Sequence, residues 1–290
     1  MNEFALPLVS ICIPTYNRAG QLEQAVTSAM RQDYGNLEII VVDNASTDDT
    51  AAIVSRCQQL DNRIVYKANE FNVGAVNNFN AAVAFANGDY VMWLADDDWI
   101  DSHYISTCMH HLLADPSLLL VAGFNEVLMP DGEVKSGQSA SFLSASPVLR
   151  LLLYFAWVGD NGVFYGVHRK SIIESVKLTN KLGGDWFFIA AIAFRGKIKM
   201  LSGCKLHRSG EGASTDLSRL ARELNLPALY QWQPYLAVAL GAGKQILVDE
   251  GTYSRISIPF RYLLATIIST GIIVKKVILQ RTYRFFRGFF

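Results

Sequence analysis

The chain has 290 residues, enough for one sizeable domain with an appendage or for two small domains. Lys plus Arg and Asp plus Glu both number 26, so the formal net charge is zero and no basic field argues for nucleic acid as a partner. The four cysteines, Cys12, Cys57, Cys108 and Cys204, show neither a CxxC pair nor metal-ligand spacing and read as buried free thiols in a reducing cytosol. The opening MNEFALPLVS lacks the basic start and apolar run of a signal peptide, which places the chemistry in the cytoplasm.

Residues 8–13 form a short apolar run stopped by Pro14, a buried strand. Residues 19–32 have helical spacing, 37–42 are apolar and β-branched, and 47–60 are helical again, with Ser46 or Thr47 placed to cap them. Residues 63–67 predict a third strand, 75–86 a helix ended by Asn87 and Gly88, and 90–94 a fourth strand. Strands alternating with helices imply parallel βαβ units, an α/β fold with the sheet covered on both faces. In the second half, 118–124 and 126–129 read as strands around a turn at Pro130, Asp131 and Gly132, and the Ser-rich stretch 136–146 as a loop. Residues 147–157 predict a helix, 162–167 a strand, 185–195 a helix and 197–206 a strand.

From residue 225 the character changes, which divides the chain into a domain at 1–225 and a helical extension at 226–290. Residues 228–247 are apolar and helical. The uncharged run 262–274 is thirteen residues, short of the roughly 20 needed to cross a bilayer. Beyond Glu250 there is no acidic residue, while Arg255, Arg261, Lys275, Lys276, Arg281, Arg284 and Arg287 are basic. Apolar surface beside basic and aromatic residues suits a segment lying on an anionic membrane face, a core helix with a solvated tail being the alternative.

In a parallel α/β sheet, ligands bind beyond the carboxyl ends of the strands. Those ends here carry Pro14, Thr15, Tyr16 and Asn17, then Asp43 to Ser46, then 69–74, then Asp96, Asp97 and Asp98. Three consecutive carboxylates repel unless a cation joins them, and a hard ion such as Mg²⁺ or Mn²⁺ would, with substrate phosphates completing its shell. A solvated loop or a helix N-terminus is the alternative. Asp43 suits a ribose or base, or a helix cap. Asp185, after Gly183 and Gly184, suits a general base or an N-cap. His207 and Arg208, at the end of a strand and before the run Ser209 to Gly212, could meet a diphosphate or the metal. No Gly-rich loop follows the first strand, which argues against a nucleotidyltransferase and a nicotinamide dehydrogenase. A non-catalytic carbohydrate-binding module would have lost the carboxylates.

The blocks VSICIPTYNRAGQLEQAVTSAMRQ from Val9, LEIIVVDNASTDDT from Leu37 and NVGAVNNFNAAVAFANGDYVMWLADDD from Asn72, with GGDWFF from Gly183 and KLHRSG from Lys205, resemble the family 2 glycosyltransferases of GT-A fold. The resemblance spans about 200 residues. It implies a Rossmann-like, mostly parallel sheet and an inverting, metal-dependent transfer from a nucleotide sugar. Pro14, Thr15, Tyr16, Asn17, Arg18, Asp43, Asn72, Gly74, Asn80 and Asp96 would hold the donor nucleotide. Asp97, Asp98 and His207 would serve the divalent metal, and Asp185 would be the base. Apart from the resemblance, Asp160 and Asn161 form a polar interruption between apolar segments that suits orienting the acceptor, with Trp186, or simply a loop. Ala95 stands where the family's first acidic residue is usual, and Gly184 precedes Asp185 where a Glu is usual. With a membrane-docking extension, the implied acceptor is a lipid-linked saccharide of bacterial O-antigen or other surface-polysaccharide assembly, at the cytoplasmic face of the inner membrane. The sequence names neither the donor sugar nor an oligomeric state.

Overall fold

The computed structural model describes residues 6–137, 140–210 and 217–279. The first five residues of the opening segment, Glu211 and Gly212, and the basic, aromatic tail with Arg281, Arg284 and Arg287 lie outside the described residues.

The first half alternates strand and helix: β1 (Val9–Thr15), α1 (Ala19–Met30), β2 (Leu37–Asp43), α2 (Thr50–Leu60), β3 (Ile64–Ala68), α3 (Ala75–Ala84) and β4 (Tyr90–Trp93). The second half is less regular. It runs β5 (Trp99–Ile100), α4 (Tyr104–Ala114), β6 (Leu118–Leu128), β7 (Val134–Ser136), α5 (Pro147–Trp157), a 3₁₀ turn (Gly162–Tyr165), β8 (Val167–Arg169), α6 (Lys170–Ser175), α7 (Gly184–Arg195) and β9 (Lys197–Ser209). Helices α8 (Leu217–Glu223), α9 (Ala228–Trp232), α10 (Pro234–Val248), α11 (Glu250–Tyr253) and α12 (Ile258–Ile272) follow, and a wider-wound turn, Ile273–Leu279, prolongs α12.

Among the described residues, nine strands join one sheet, in the order β3-β2-β1-β4-β8-β6-β9-β5, with β7 hairpinned to β6. The β3-β2-β1-β4 half is parallel. Antiparallel pairing enters with β8 and again with β5 and β7, so the sheet is mixed. Its faces follow from alternation along each strand. Ile11, Ile13, Ile39 and Val41 face α1, α2 and α4, whereas Cys12, Ile40, Val42 and Trp93 face α3, α5, α7 and the C-terminal helices. Pro14 sits inside β1 without breaking it. The Cys12 and Thr15 carbonyls accept from Leu94 and Asn44 respectively, which turns the Pro14 nitrogen toward β4, past the last β1–β4 pair at Cys12 and Trp93. All four cysteines are free and buried.

Several boundaries differ from the sequence expectation. α2 starts at Thr50, with the Thr50 N–H donating to Asp48 Oδ1 at 3.1 Å, so neither Ser46 nor Thr47 caps it. Their polar groups instead join the β1 and β2 loops. Asn87 and Gly88 do not cap α3. Their N–H groups reach the Glu38 carboxylate and the Ser10 hydroxyl. The expected strand at 162–167 is mostly the 3₁₀ turn, and the expected helix at 228–247 breaks at Gln233 before Pro234. Strands expected at 118–124 and 126–129 are the single β6. The helical run Ile258–Ile278, 21 residues of mean hydropathy 1.4, is long and apolar enough to cross a bilayer by length and composition, longer than the uncharged run alone suggests.

Candidate active site

The ends of β1 and β2 are laced together by short polar side chains. The Asn17 N–H donates to Ser46 Oγ at 2.9 Å, and the Thr47 N–H donates to Asn17 Oδ1 at 2.8 Å. Asn17 and Ala45 both take left-handed backbone, φ 50° and 63°. Asp43 holds this turn: its Oδ1 accepts from the Ser46 N–H at 2.8 Å, and its Oδ2 accepts from the Tyr66 hydroxyl at 2.6 Å. Asp43 is therefore buried and engaged on both oxygens by the protein, and Pro14 and Thr15 are buried in the strand. The open part of the predicted nucleotide set is Tyr16, Asn17, Asn72 and Gly74, with Arg18 half-buried beside them.

An asparagine network fixes the next loop. Asn44 Nδ2 donates to Asn72 Oδ1 at 2.8 Å, and Asn44 Oδ1 accepts from the Val73 N–H at 2.9 Å. Asn72 also accepts from the N–H of Gly74, which opens α3 at φ 84°. Asn80 departs from its expected place. Its Nδ2 donates to the Leu178 carbonyl at 3.0 Å, pinning α3 to the segment before α7 instead of facing the donor loop. Asn78, not singled out in the sequence, is the neighbour that reaches the strand ends, donating to the Val42 carbonyl at 2.9 Å. A polar residue on the sheet-facing side of α3 is the signal that marks it.

Asp96, Asp97 and Asp98 follow β4. Arg18 Nη1 donates to Asp97 Oδ2 at 2.6 Å, and Arg18 Nε lies 4.0 Å from Asp96 Oδ1. Burial raises the Asp96 pKa to about 6, against the opposing pull of the Thr15 hydroxyl and Arg18. Burial likewise raises Asp98 to about 7, with Arg208 opposing and Asp97 adding to the rise. Asp98 accepts from the Ser209 N–H at 3.0 Å and is almost wholly enclosed, so it ties β9 to this loop. Burial thus leaves the triplet short of positive charge, with Arg18 on its open side. That fits a hard divalent cation held by Asp97 and a neighbouring carboxylate, with phosphate and water oxygens as the remaining ligands.

His207 does not join that set. Its Nε2 lies 2.9 Å from Asp101 Oδ1 and its Nδ1 3.7 Å from Glu126 Oε2, and its ring stacks on Trp99 with centroids 5.2 Å apart. β9 runs between β5 and β6, and the registers Trp99↔His207 and Glu126↔His207 put the imidazole among these neighbours. Among the described residues no three His, Cys, Asp or Glu side chains converge on one point. Grouping His207 with Asp97 and Asp98 is therefore corrected. The adjacent Arg208 reaches the triplet instead, its buried Nε without a hydrogen-bond partner and 3.9 Å from Asp98 Oδ2.

Arg208 also lies over the Tyr165 ring at 5.4 Å and donates through Nη1 to the Asp160 carbonyl at 3.3 Å. Both residues line a cavity of about 670 Å³ that also holds Asn161, Asp185, Trp186, Ser209 and Tyr235. Asp185 lies in the first turn of α7, two residues further in than the cap, because Gly183 holds the cap position. Burial raises its pKa, partly offset by the N–H of Asn161, whose Nδ2 donates to Asp185 Oδ2 at 2.8 Å. Asn161 in turn accepts from the Tyr154 hydroxyl at 2.9 Å. The structure therefore gathers Asp160, Asn161, Asp185 and Trp186 around one cavity. Tyr165, between the triplet and Asp185, carries no sequence signal, since an aromatic residue in an apolar run looks like core.

Residues 10–174 match the family model described as glycosyl transferase family 2. The chain is 32% identical over 181 residues to the GalNAc(5)-diNAcBac-PP-undecaprenol beta-1,3-glucosyltransferase of Campylobacter jejuni, covering 62% of this chain and 57% of that protein. It is 37% identical over 107 residues to the UDP-Glc:alpha-D-GlcNAc-diphosphoundecaprenol beta-1,3-glucosyltransferase of Escherichia coli, covering 37% and 42%. The matches thus span little more than half, or less, of those curated relatives' length. Among solved structures, the mannosyltransferase PcManGT from Pyrobaculum calidifontis in complex with GDP-Man and Mn²⁺ superposes with a TM-score of 0.59 at 16% identity, over 98% of this chain and 80% of that one. That likeness concerns the fold.

Proposed function

The chain belongs to glycosyl transferase family 2, and on that premise we propose that it moves a sugar from a nucleotide-sugar donor to a hydroxyl of a lipid-linked saccharide during bacterial surface-polysaccharide assembly. The observation that carries this reading is the joining of two carboxylate sites by one arginine. Arg208 touches both the strand-end triplet and the cavity wall that holds Asp185. Two relatives act, by their names, on saccharides carried by diphosphoundecaprenol, which supports the acceptor class.

In this mechanism Tyr16, Asn17 and Arg18 border the nucleotide, and Arg208 offers its unpaired Nε–H to the donor diphosphate. Asp97, with Asp96 or Asp98, would hold a Mn²⁺ or Mg²⁺ ion, which when bound neutralises charge on the diphosphate. Asp185 accepts the proton of the acceptor hydroxyl. The hydroxyl oxygen forms its bond to the anomeric carbon as the bond to the diphosphate oxygen breaks, and that electron pair leaves with the nucleoside diphosphate. Attack opposite the leaving group inverts the anomeric centre. Asn161 orients the base, and Asp160 and Trp186 line the acceptor's side. Residues 226–290 act as the extension that rests on the cytoplasmic membrane face.

The test is a thermal-shift series of nucleoside diphosphates and nucleotide sugars with and without Mn²⁺. A donor at a hundred times its Kd stabilises the folded state by about 2.7 kcal/mol. The wild type gains a Mn²⁺-dependent shift with one nucleotide class, and Asp97→Ala loses both that shift and sugar transfer. Transfer that survives Asp97→Ala with undiminished metal dependence would sink the metal assignment.

A further inference from the structure

The two lysines that follow α12 sit beside the Asp185 cavity, Lys276 against two of its lining residues and Lys275 against the end of α5. Lys275 Nζ donates to the carbonyls of Ala156 at 2.6 Å and Val158 at 3.3 Å, closing the C-terminal end of α5 just before Asp160. Lys276 Nζ lies over the rings of Trp186, 5.6 Å from the centroid, and Tyr235, at 5.5 Å. Both aromatic residues line the cavity, as does Asp160. Among the described residues, no carboxylate forms an ion pair with Lys276. Its ammonium lies over two aromatic faces, which attract a cation but supply no anionic oxygen, and Asp160 adds a more distant negative charge.

Resting on the acceptor reading above, we propose that Lys276, with Lys275 beside it, binds the diphosphate of a polyisoprenyl-diphosphate-linked acceptor at the mouth of the Asp185 cavity. The order of chemistry along the protein matches that of such a molecule. α12 exposes Phe260, Leu263 and Ile267, a face for hydrocarbon or membrane. The lysines come next, and beyond Trp186 its chain neighbour Asp185 faces the cavity that would take the sugar. The donor diphosphate is assigned different partners, Asp97 after β4 and Arg208 near the end of β9. Burial and the neighbouring Lys275 both lower the Lys276 pKa, with Asp160 opposing. An arriving diphosphate stabilises the charged form of Lys276 further.

The probes are farnesyl diphosphate, farnesol and inorganic diphosphate, titrated calorimetrically into the full chain in EDTA so that metal-dependent diphosphate binding is silent. Farnesyl diphosphate should bind at least about tenfold more tightly than either control, a difference of about 1.4 kcal/mol. Lys276→Gln should erase that preference and Lys276→Arg should keep it, with melting temperatures measured for both to confirm folding. Equal farnesyl diphosphate affinity in wild type and Lys276→Gln overturns the proposal, and so does loss of the preference in the folded arginine variant. Inorganic diphosphate binding as tightly as the farnesyl ester would make this a free-phosphate site and overturn the lipid assignment. Donor hydrolysis with Mn²⁺ by the unsubstituted protein tests the transferase reading separately. Its absence alongside intact farnesyl diphosphate selectivity sinks that reading and not this one.

Discussion

Asn161 sits in left-handed backbone, φ 52°, and spends both ends of its amide on neighbours, accepting from Tyr154 and donating to Asp185. Burial holds the Asp185 proton above its usual pKa, while the Asn161 N–H favours the ionised form. In the proposed mechanism transfer needs the carboxylate, so the rate should rise with pH through a midpoint above the ordinary carboxylate value. Asn161→Ala should move that midpoint higher still, and Asp185→Asn should cost about a hundredfold or more in transfer while leaving donor binding intact. A pH–rate profile of transfer on the three proteins checks this, and an unshifted acid limb in Asn161→Ala removes Asn161 from the mechanism. The same burial affects stability. A carboxyl whose folded pKa is raised stabilises the fold fully below its unfolded pKa and loses that contribution as pH rises through the folded value. Asp185→Asn should therefore melt higher than wild type at pH 8, with the gap closing toward pH 4. A reversed trend would mean that the charged form is favoured.

The element that delivers Asp185 is the start of α7, and two glycines make its geometry. Gly183 lies at φ 79°, which costs a non-glycine residue about 1–2 kcal/mol. A Cβ on Gly184 would run into the Thr179 carbonyl oxygen. Gly184→Ala should push the first turn of α7 away from that segment, cutting transfer at least tenfold and lowering the melting temperature by several degrees, about 1–2 kcal/mol. Full activity with an unchanged melting curve would show that the first turn tolerates displacement. The sequence carries the pair Gly183-Gly184 plainly but not its reason, which is the folding of the connection before α7 back onto its first turn at Thr179. The same limit explains which elements were legible. β1, β2 and β4 read well because continuous apolar runs and β–α alternation are local signals. β8 and β5 have three and two residues, and their partners β4 and β9 lie far along the chain. α4 was legible but unread: Ile105, Cys108, Met109 and Leu112 carry the helical spacing of its buried face. His207 shows why a type of residue does not fix a role. Its strand register delivers it to Asp101 and Glu126, information absent from the local motif.

At the scale of the molecule, the extension and the cavity-bearing half share one apolar core. Leu264, Ala265, Ile268 and Ile272 of α12 pack in the same cluster as Phe187 and Ile189 of α7, while Phe260, Tyr262, Leu263 and Ile267 face outward. Removing α12 would uncover that core, so deletion is a poor probe of membrane docking. Spanning is also disfavoured despite the helix's length. It would pull Leu264 and Ile268 off α10 and take Arg261, now donating to the Ile256 carbonyl at 3.0 Å, into hydrocarbon. The helix is therefore expected to lie on the surface, with its exposed face in the interface and Lys275 and Lys276 at headgroup level. Phe260→Ser, Leu263→Ser and Ile267→Ser combined should leave the melting temperature near wild type and lower partition onto phosphatidylglycerol vesicles by on the order of 100-fold, roughly 1 kcal/mol for each half-buried side chain. Binding should weaken on phosphatidylcholine and at high salt, and carbonate should strip the protein from native membranes. Retention through carbonate would make α12 a span, and undiminished sedimentation of the folded triple variant would place the docking face elsewhere.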